Sequence, residues 1–185
     1  MSNFYVVGEI SPAMATSFFR GAAGRFITDV VISSHGGDTG LTYGMFDVIK
    51  HQEINTHVVG LAQSAAAVLL QAGKWRTMTN SSLLLFHRAE EGVSDQEFRL
   101  FTQLVEMAAQ RAGLPFIEAI GMFDDKFINA NRALELGLID EIAEDAKVMR
   151  WIDGESDRDR QSEKPPEQPC ALLREGSTGE SETRS

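Results

Sequence analysis

A chain of 185 residues with 43% hydrophobic and 24% charged residues has the length and composition of one globular domain with a sizeable core. Its net charge of −10 argues against a nucleic-acid surface, since phosphate binding needs clustered Lys and Arg. The single cysteine, Cys170, excludes a disulfide framework and a thiolate metal site. No stretch approaches the roughly eighteen apolar residues of a membrane span, and Met1-Ser2-Asn3-Phe4 does not open a signal peptide. A reducing, cytoplasmic setting without membrane contact is expected.

In chain order, Phe4-Tyr5-Val6-Val7 closed by Gly8 reads as a buried strand. Ser11-Pro12 opens a helix whose apolar face carries Met14, Phe18 and Phe19 to Ala22, and Gly24 ends it. A second strand over Ile27–Ser33 runs into Ser34-His35-Gly36-Gly37-Asp38, and a helix follows from Leu41 to Gln52. The plan then repeats, with strand over Thr56–Gly60 and helix from Ser64 to Ala72. Strand, glycine-rich or small-residue turn, then helix is the pattern of a largely parallel sheet.

Lys74–Thr79 and Leu83–Phe86 are two further short strands, the second leading directly into His87. Ser94 and Glu97 have the spacing of a capping box and start an amphipathic helix to about Ala112. A shorter helix is expected from Phe116 to about Met122, another over Ala130–Leu136 with Gly137 as its C-terminal glycine, and a closing strand over Leu138–Ile142. The folded domain is expected to span residues 1–150. From about Asp153 the composition turns to Gly, Ser, Glu, Asp, Arg and Pro, with nine acidic residues against five basic, so residues 151–185 read as a disordered acidic tail.

Acyl transfer from an amide needs a nucleophile, a base for its proton, an acid that orients the base, and N–H donors where the oxyanion forms. Ser64 stands at a strand-to-helix transition, where the first helical amides are unpaired and the dipole is positive, so Ala65 N–H is a natural oxyanion donor. Gly36-Gly37 can supply a second donor, because paired glycines allow positive φ and close approach. A serine beside alanines at a helix start is also an ordinary N-cap, and a histidine at a strand end is also an ordinary structural residue. His51 and His57 read as structural. The order and spacing of Gly36, Ser64 and His87 give these signals their weight.

That order resembles the proteolytic subunit of the Clp protease, a ring-forming serine peptidase of the crotonase-like α/β fold built from repeated ββα units. The resemblance rests on Val31-Ile32-Ser33-Ser34-His35-Gly36-Gly37, on Gly60-Leu61-Ala62-Gln63-Ser64-Ala65-Ala66, on Leu84-Leu85-Phe86-His87, and on Asp125-Lys126-Phe127-Ile128-Asn129-Ala130 with Gly137-Leu138-Ile139-Asp140. It implies Ser64 as nucleophile, His87 as general base and then acid, and Asp125 as the group that holds the imidazole tautomer. Asp124 is the competitor for the last role. Gly36 and Ala65 would supply the oxyanion amides. The resemblance further implies polypeptide substrates, a homo-oligomeric ring, an AAA+ unfoldase as possible partner, and no metal or organic cofactor, ATP belonging to the partner.

Three departures shape the expectation. His35 replaces the family's proline, Asp124 stands where the family has an arginine that couples ring assembly to activity, and only 38 positions separate His87 from Asp125, which implies a shortened handle helix. The chain also begins almost at its first strand, without the family's longer axial segment. These trims fit a divergent or phage-type member, of which capsid-maturation proteases are one kind. The remaining alternatives are a crotonase-type acyl-CoA enzyme and a catalytically idle ring subunit.

Overall fold

The computed structural model describes residues 2–87, 94–115 and 124–144. The elements are β1 Ser2–Ile10, α1 Pro12–Ala23, β2 Ile27–Gly37, α2 Thr39–Gln52, β3 Asn55–Gln63, α3 Ala65–Leu70, β4 Arg76–Thr79, β5 Leu83–His87, α4 Asp95–Ala112, β6 Asp124–Asn129, α5 Ala130–Glu135 and β7 Glu141–Ala143. The helix expected over Phe116–Met122, the boundary at residue 150 and the tail lie outside the described residues. Among those described, no helix is long and apolar enough to cross a membrane.

The helices begin where side chains accept the first orphan amides. Ser11 accepts from Met14 N–H with Pro12 in the first turn of α1, Asp38 accepts from Leu41 N–H at α2, and Asn129 accepts from Arg132 N–H at α5. Gly137 follows α5 at φ +68, where a methyl would sit 2.8 Å from the Ala112 carbonyl oxygen, so the expected glycine also lets α5 approach the end of α4.

The strands form one seven-stranded sheet in the order β1-β2-β3-β4-β7, with β5 and β6 joined to it through β3. Every pairing is parallel except β5 with β6. β3 changes partner along its length: Thr56–Val58 pair with Arg76–Met78 of β4, whereas Leu61–Gln63 pair with Leu83–Leu85 of β5. Gly60 stands at this fork with φ +89. Its N–H donates to Ser82 Oγ at 2.8 Å, and that hydroxyl donates to the Val58 carbonyl at 3.1 Å, so a side chain satisfies backbone groups that the departing strands leave open.

One face of the sheet carries the main core, in which Phe18, Ile32, Met45, Phe46, Val58, Leu69 and Leu104 are buried beneath the helices. The opposite face carries a polar cluster. Asp29 and His57 are completely buried, with His57 Nε2 3.0 Å from Asp29 Oδ1 and His57 Nδ1 2.9 Å from Thr77 Oγ1. Thr28 Oγ1 and Asn55 Nδ2 also donate to the Asp29 carboxylate, at 2.6 and 3.0 Å. The structural reading of His57 agrees with this placement.

A second ionic tie closes the fold. Arg76 grips Asp140 through Nε at 3.0 Å and Nη2 at 2.7 Å, its N–H donates to Asp140 Oδ2 at 2.8 Å, and its Nη1 donates to Gln71 Oε1 at 2.8 Å. The expected closing strand is accordingly short. Leu138 and Ile139 are core residues, Asp140 is the anchor, and only Glu141–Ala143 pair with β4. Asp124–Ile128, whose mixed composition gave no strand signal, pairs with β5 as β6.

Removing one partner of a nearly buried, bidentate pair leaves an uncompensated charge, so Asp140→Ala should lower the unfolding free energy by about 3 kcal/mol in chemical denaturation. Burial pushes the Asp29 carboxyl up, but hydrogen bonds from His57, Thr28 and Asn55 outweigh it and hold the group at about 2. A carboxyl that titrates near 2 when folded and near 3.9 when unfolded stabilises fully above pH 5, and this contribution fades as pH falls through 2. The stability lost between pH 5 and pH 2 should therefore be about 2 kcal/mol smaller in Asp29→Asn than in the wild type, as read from urea melts.

Candidate active site

Ser64 sits between β3 and α3 at φ 55, ψ −126, one of three non-glycine residues at positive φ among the described residues. Its N–H donates to the Leu85 carbonyl at 2.8 Å, and its own carbonyl accepts from Ala67 and Val68 at 3.0 and 3.2 Å. The backbone thus ties strand to helix, while the side chain makes no capping bond. An N-capping serine has an extended backbone and turns its hydroxyl toward the helix amides. Ser64 has neither feature, which separates it from the ordinary cap that its sequence context allowed. Such a conformation costs on the order of 1–3 kcal/mol and persists only where surrounding contacts impose it.

Ala65 opens α3, so its N–H has no acceptor within the helix. The Gly36-Gly37 loop lies directly against this turn. At Gly36, φ +102, a methyl would lie 2.9 Å from Gln63 O, 3.0 Å from Ser64 Cβ and 3.2 Å from Ala65 N. Only glycine fits there, because the space belongs to the serine turn.

The two glycine amides face different ways. Gly36 N–H donates to Ser34 Oγ at 3.0 Å, and Ser34 Oγ donates to the Gly8 carbonyl at 2.5 Å, so the amide assigned from sequence as an oxyanion donor is turned toward β1 and already bonded. In the paired register Ile10 stands opposite Gly37, and Asp38 N–H donates to the Ile10 carbonyl at 3.1 Å. Parallel pairing alternates along the strand, so Gly37 N–H points away from β1, toward the β3 side. Gly36 is buried and Gly37 exposed. His35 is an exposed loop residue.

His87 ends β5, half-buried, and β5 runs parallel to β3 with Gln63 opposite Leu85. The C-terminal ends of the two strands therefore deliver Ser64 and His87 to the same sheet edge. On the other side of β5 the antiparallel register places Phe127 opposite Leu85 and Asp124 opposite His87. Two β6 residues, Asp125 and Lys126, thus oppose the single residue Phe86, a bulge of the kind that re-aims side chains beside active sites. The structure places Asp124 and Asp125 by their backbone, both beside His87. Among the described residues, no group of three His, Cys, Asp or Glu side chains converges as a metal site.

The Clp protease family profile matches residues 27–146. The chain belongs to the Clp protease family. It is 30% identical over 135 residues to the ATP-dependent Clp protease proteolytic subunit 1 of Corynebacterium glutamicum, a match covering 64% of this chain and 65% of that protein. It is 34% identical over 136 residues to the corresponding subunit 2 of Streptomyces coelicolor, covering 64% and 62%. The match thus spans less than two thirds of the length of these relatives. Among solved structures, the ClpP protease catalytic domain from Plasmodium falciparum superposes with a TM-score of 0.69 at 22% identity, over 77% of this chain and 85% of that one, which establishes the shared fold.

The bridging roles of Ser34 and Ser82 were not visible in the sequence, since each is the second serine of a Ser-Ser pair, a pair common in turns and loops. The positive φ at Ser64 offers a direct test of strain. Glycine relieves it and alanine does not, so Ser64→Gly should be about 1 kcal/mol more stable than Ser64→Ala in thermal or urea unfolding.

Proposed function

We propose that the chain is a proteolytic subunit, a serine endopeptidase that cleaves peptide bonds through Ser64, His87 and Asp125. The observation that carries this reading is the Ser64 turn, whose hydroxyl does not cap its helix and whose flank is packed by a glycine loop. Ser64 Oγ attacks the scissile carbonyl carbon while His87 takes its proton. The tetrahedral intermediate collapses as His87 returns that proton to the leaving amine, and water hydrolyses the resulting ester in a second, equivalent round. Asp125 keeps the imidazole in the tautomer that accepts from Ser64.

The oxyanion is held by Ala65 N–H and by one amide of the Gly36-Gly37 loop. Because Gly36 N–H is bonded to Ser34 Oγ, Gly37 N–H takes that part, and Gly36 serves by leaving room for the serine turn. The relatives are named as proteolytic subunits of an ATP-dependent protease. On that basis the proposed assembly is a cytoplasmic homo-oligomeric ring that admits unfolded polypeptides, with an AAA+ unfoldase as feeding partner. The separation of 38 positions from His87 to Asp125 fits a ring with a shortened handle.

Wild-type protein should hydrolyse a fluorogenic peptide and be labelled by a fluorophosphonate at Ser64. Ser64→Ala should remove both, and Asp125→Asn should reduce kcat by about four orders of magnitude while leaving the fold intact. Labelling at any residue other than Ser64, or turnover that survives Ser64→Ala, defeats the assignment. Equal rates for Asp125→Asn and wild type, with a large loss in Asp124→Asn, would transfer the orienting role to Asp124.

A further inference from the structure

We propose that Ser34 is a positioning residue of the oxyanion site, acting through the Gly36-Gly37 loop; the inference rests on the serine-peptidase reading above. The pairing of β1 with β2 slips between Val7 and Glu9, and Gly8 at the slip adopts φ +77. Pairing of β2 with β3 slips at the same level, between Ile32 and Ser34. The two irregularities leave the last turn of β2 before the glycine loop without a continuous ladder. Ser34 restores it with one hydroxyl, which accepts from Gly36 N–H at 3.0 Å and donates to the Gly8 carbonyl at 2.5 Å.

Three features make this more than an ordinary serine turn. Ser34 is 2% exposed, so its hydroxyl is shielded from water, and the bond from Gly36 N–H is buried. The loop it fixes has φ of +102 at Gly36 and +148 at Gly37, backbone with no side chain to restrict it. The same loop is wedged against Gln63, Ser64 and Ala65, so a rotation at Gly36 is felt by the nucleophile turn.

With the hydroxyl removed, a buried N–H and a half-buried carbonyl lose their shared partner. The least costly relief is rotation of the glycine pair, and that rotation swings Gly37 N–H off the line on which the oxyanion forms. Ground-state binding of a peptide uses many other contacts. Transition-state stabilisation depends on where this amide points.

The test compares wild type, Ser34→Ala, Ser34→Cys and Ser34→Thr in full-length protein. It reads kcat and KM on a fluorogenic peptide, inhibition by a peptide boronate whose tetrahedral adduct on Ser64 carries the oxyanion, and melting temperature. Ser34→Ala should lower kcat at least 10-fold with KM within twofold, weaken the boronate by the same factor, and regain activity when threonine restores a hydroxyl. If Ser34→Ala melts below the assay temperature, Ser34→Cys carries the comparison, since it keeps the volume and weakens the hydrogen bonds. Wild-type boronate affinity and kcat in a variant whose melting temperature alone has dropped would reduce Ser34 to a structural part and overturn the inference. Wild-type protein that fluorophosphonate does not label at Ser64 would overturn the peptidase reading, and this inference with it.

Discussion

The structure turns on the point where β3 exchanges one neighbour for another. A strand that pairs β4 over its first half and β5 over its second must bend between them, and at the bend its backbone groups lose their ladder partners. Gly60 supplies the bend at φ +89, and the Ser82 hydroxyl fills the gap by accepting from Gly60 N–H and donating to Val58 O. The second half of β3 is thereby turned out of the main sheet's path and set beside β5. This puts Ser64 at the end of one strand and His87 at the end of the next. Were β3 to pair β4 throughout, β5 would lose the pairing that brings His87 to the same edge as Ser64.

Around this fork the fold invests its polar bonds away from the reacting groups. Asp29 and His57 join β2 to β3 on the face opposite the main core, and Thr77 extends the tie to β4. Arg76 and Asp140 join β4 to the end of the described chain, where Asp140 N–H also donates back to the Arg76 carbonyl at 2.8 Å. Both clusters hold the first half of β3 and its neighbours in fixed register. The second half, which carries the site, is held instead by the packing of α3, whose six residues are all buried, and by single backbone bonds such as Ser64 N–H to Leu85 O. The charged network fixes the frame, and the small-residue helix lets the site sit close against it.

Much of this was legible in the residues. Apolar runs, capping side chains and glycine stops located α1, α2 and α4 to within about two residues, because those signals are local. The order Gly-Gly, Ser, His along the chain pointed to the candidate site only through its spacing and the resemblance it carries, since each residue is locally ambiguous. What escaped was set by pairing. β2 runs on through Gly36 and Gly37 because Glu9 and Ile10 pair with them, and no propensity scale favours glycine in a strand. β6 has the charged opening Asp124-Asp125-Lys126 and is a strand because β5 offers it an edge. The direction of the two loop amides depends on a register slip at Gly8, which sequence does not show, so Gly36, named from sequence as a donor, carries the amide that is turned toward β1 and bonded to Ser34. Asp140 could be read as part of a motif, while its partner Arg76, 64 residues away, could not.

The conformation of Ser64 links cost to use. In an extended backbone its hydroxyl would turn back onto the helix amides, satisfying them and occupying itself. At φ 55 the backbone directs the chain into α3 through its carbonyl, which takes two amides of the first turn, and the side chain is left out of the cap. The rotation therefore leaves the Ser64 hydroxyl without a capping role beside the Ala65 N–H, which as the first amide of α3 has no intrahelical partner. Neighbouring hydroxyls show the contrast, since Ser11 caps α1, Ser34 bridges β1 to β2, and Ser82 bridges the β3 fork. Each of them stabilises the fold by a bond that Ser64 forgoes. Strain of on the order of 1–3 kcal/mol at one residue is small against the burial of α3 beneath it, and what it leaves at the sheet edge is a hydroxyl that caps nothing and the first amide of α3 in one turn.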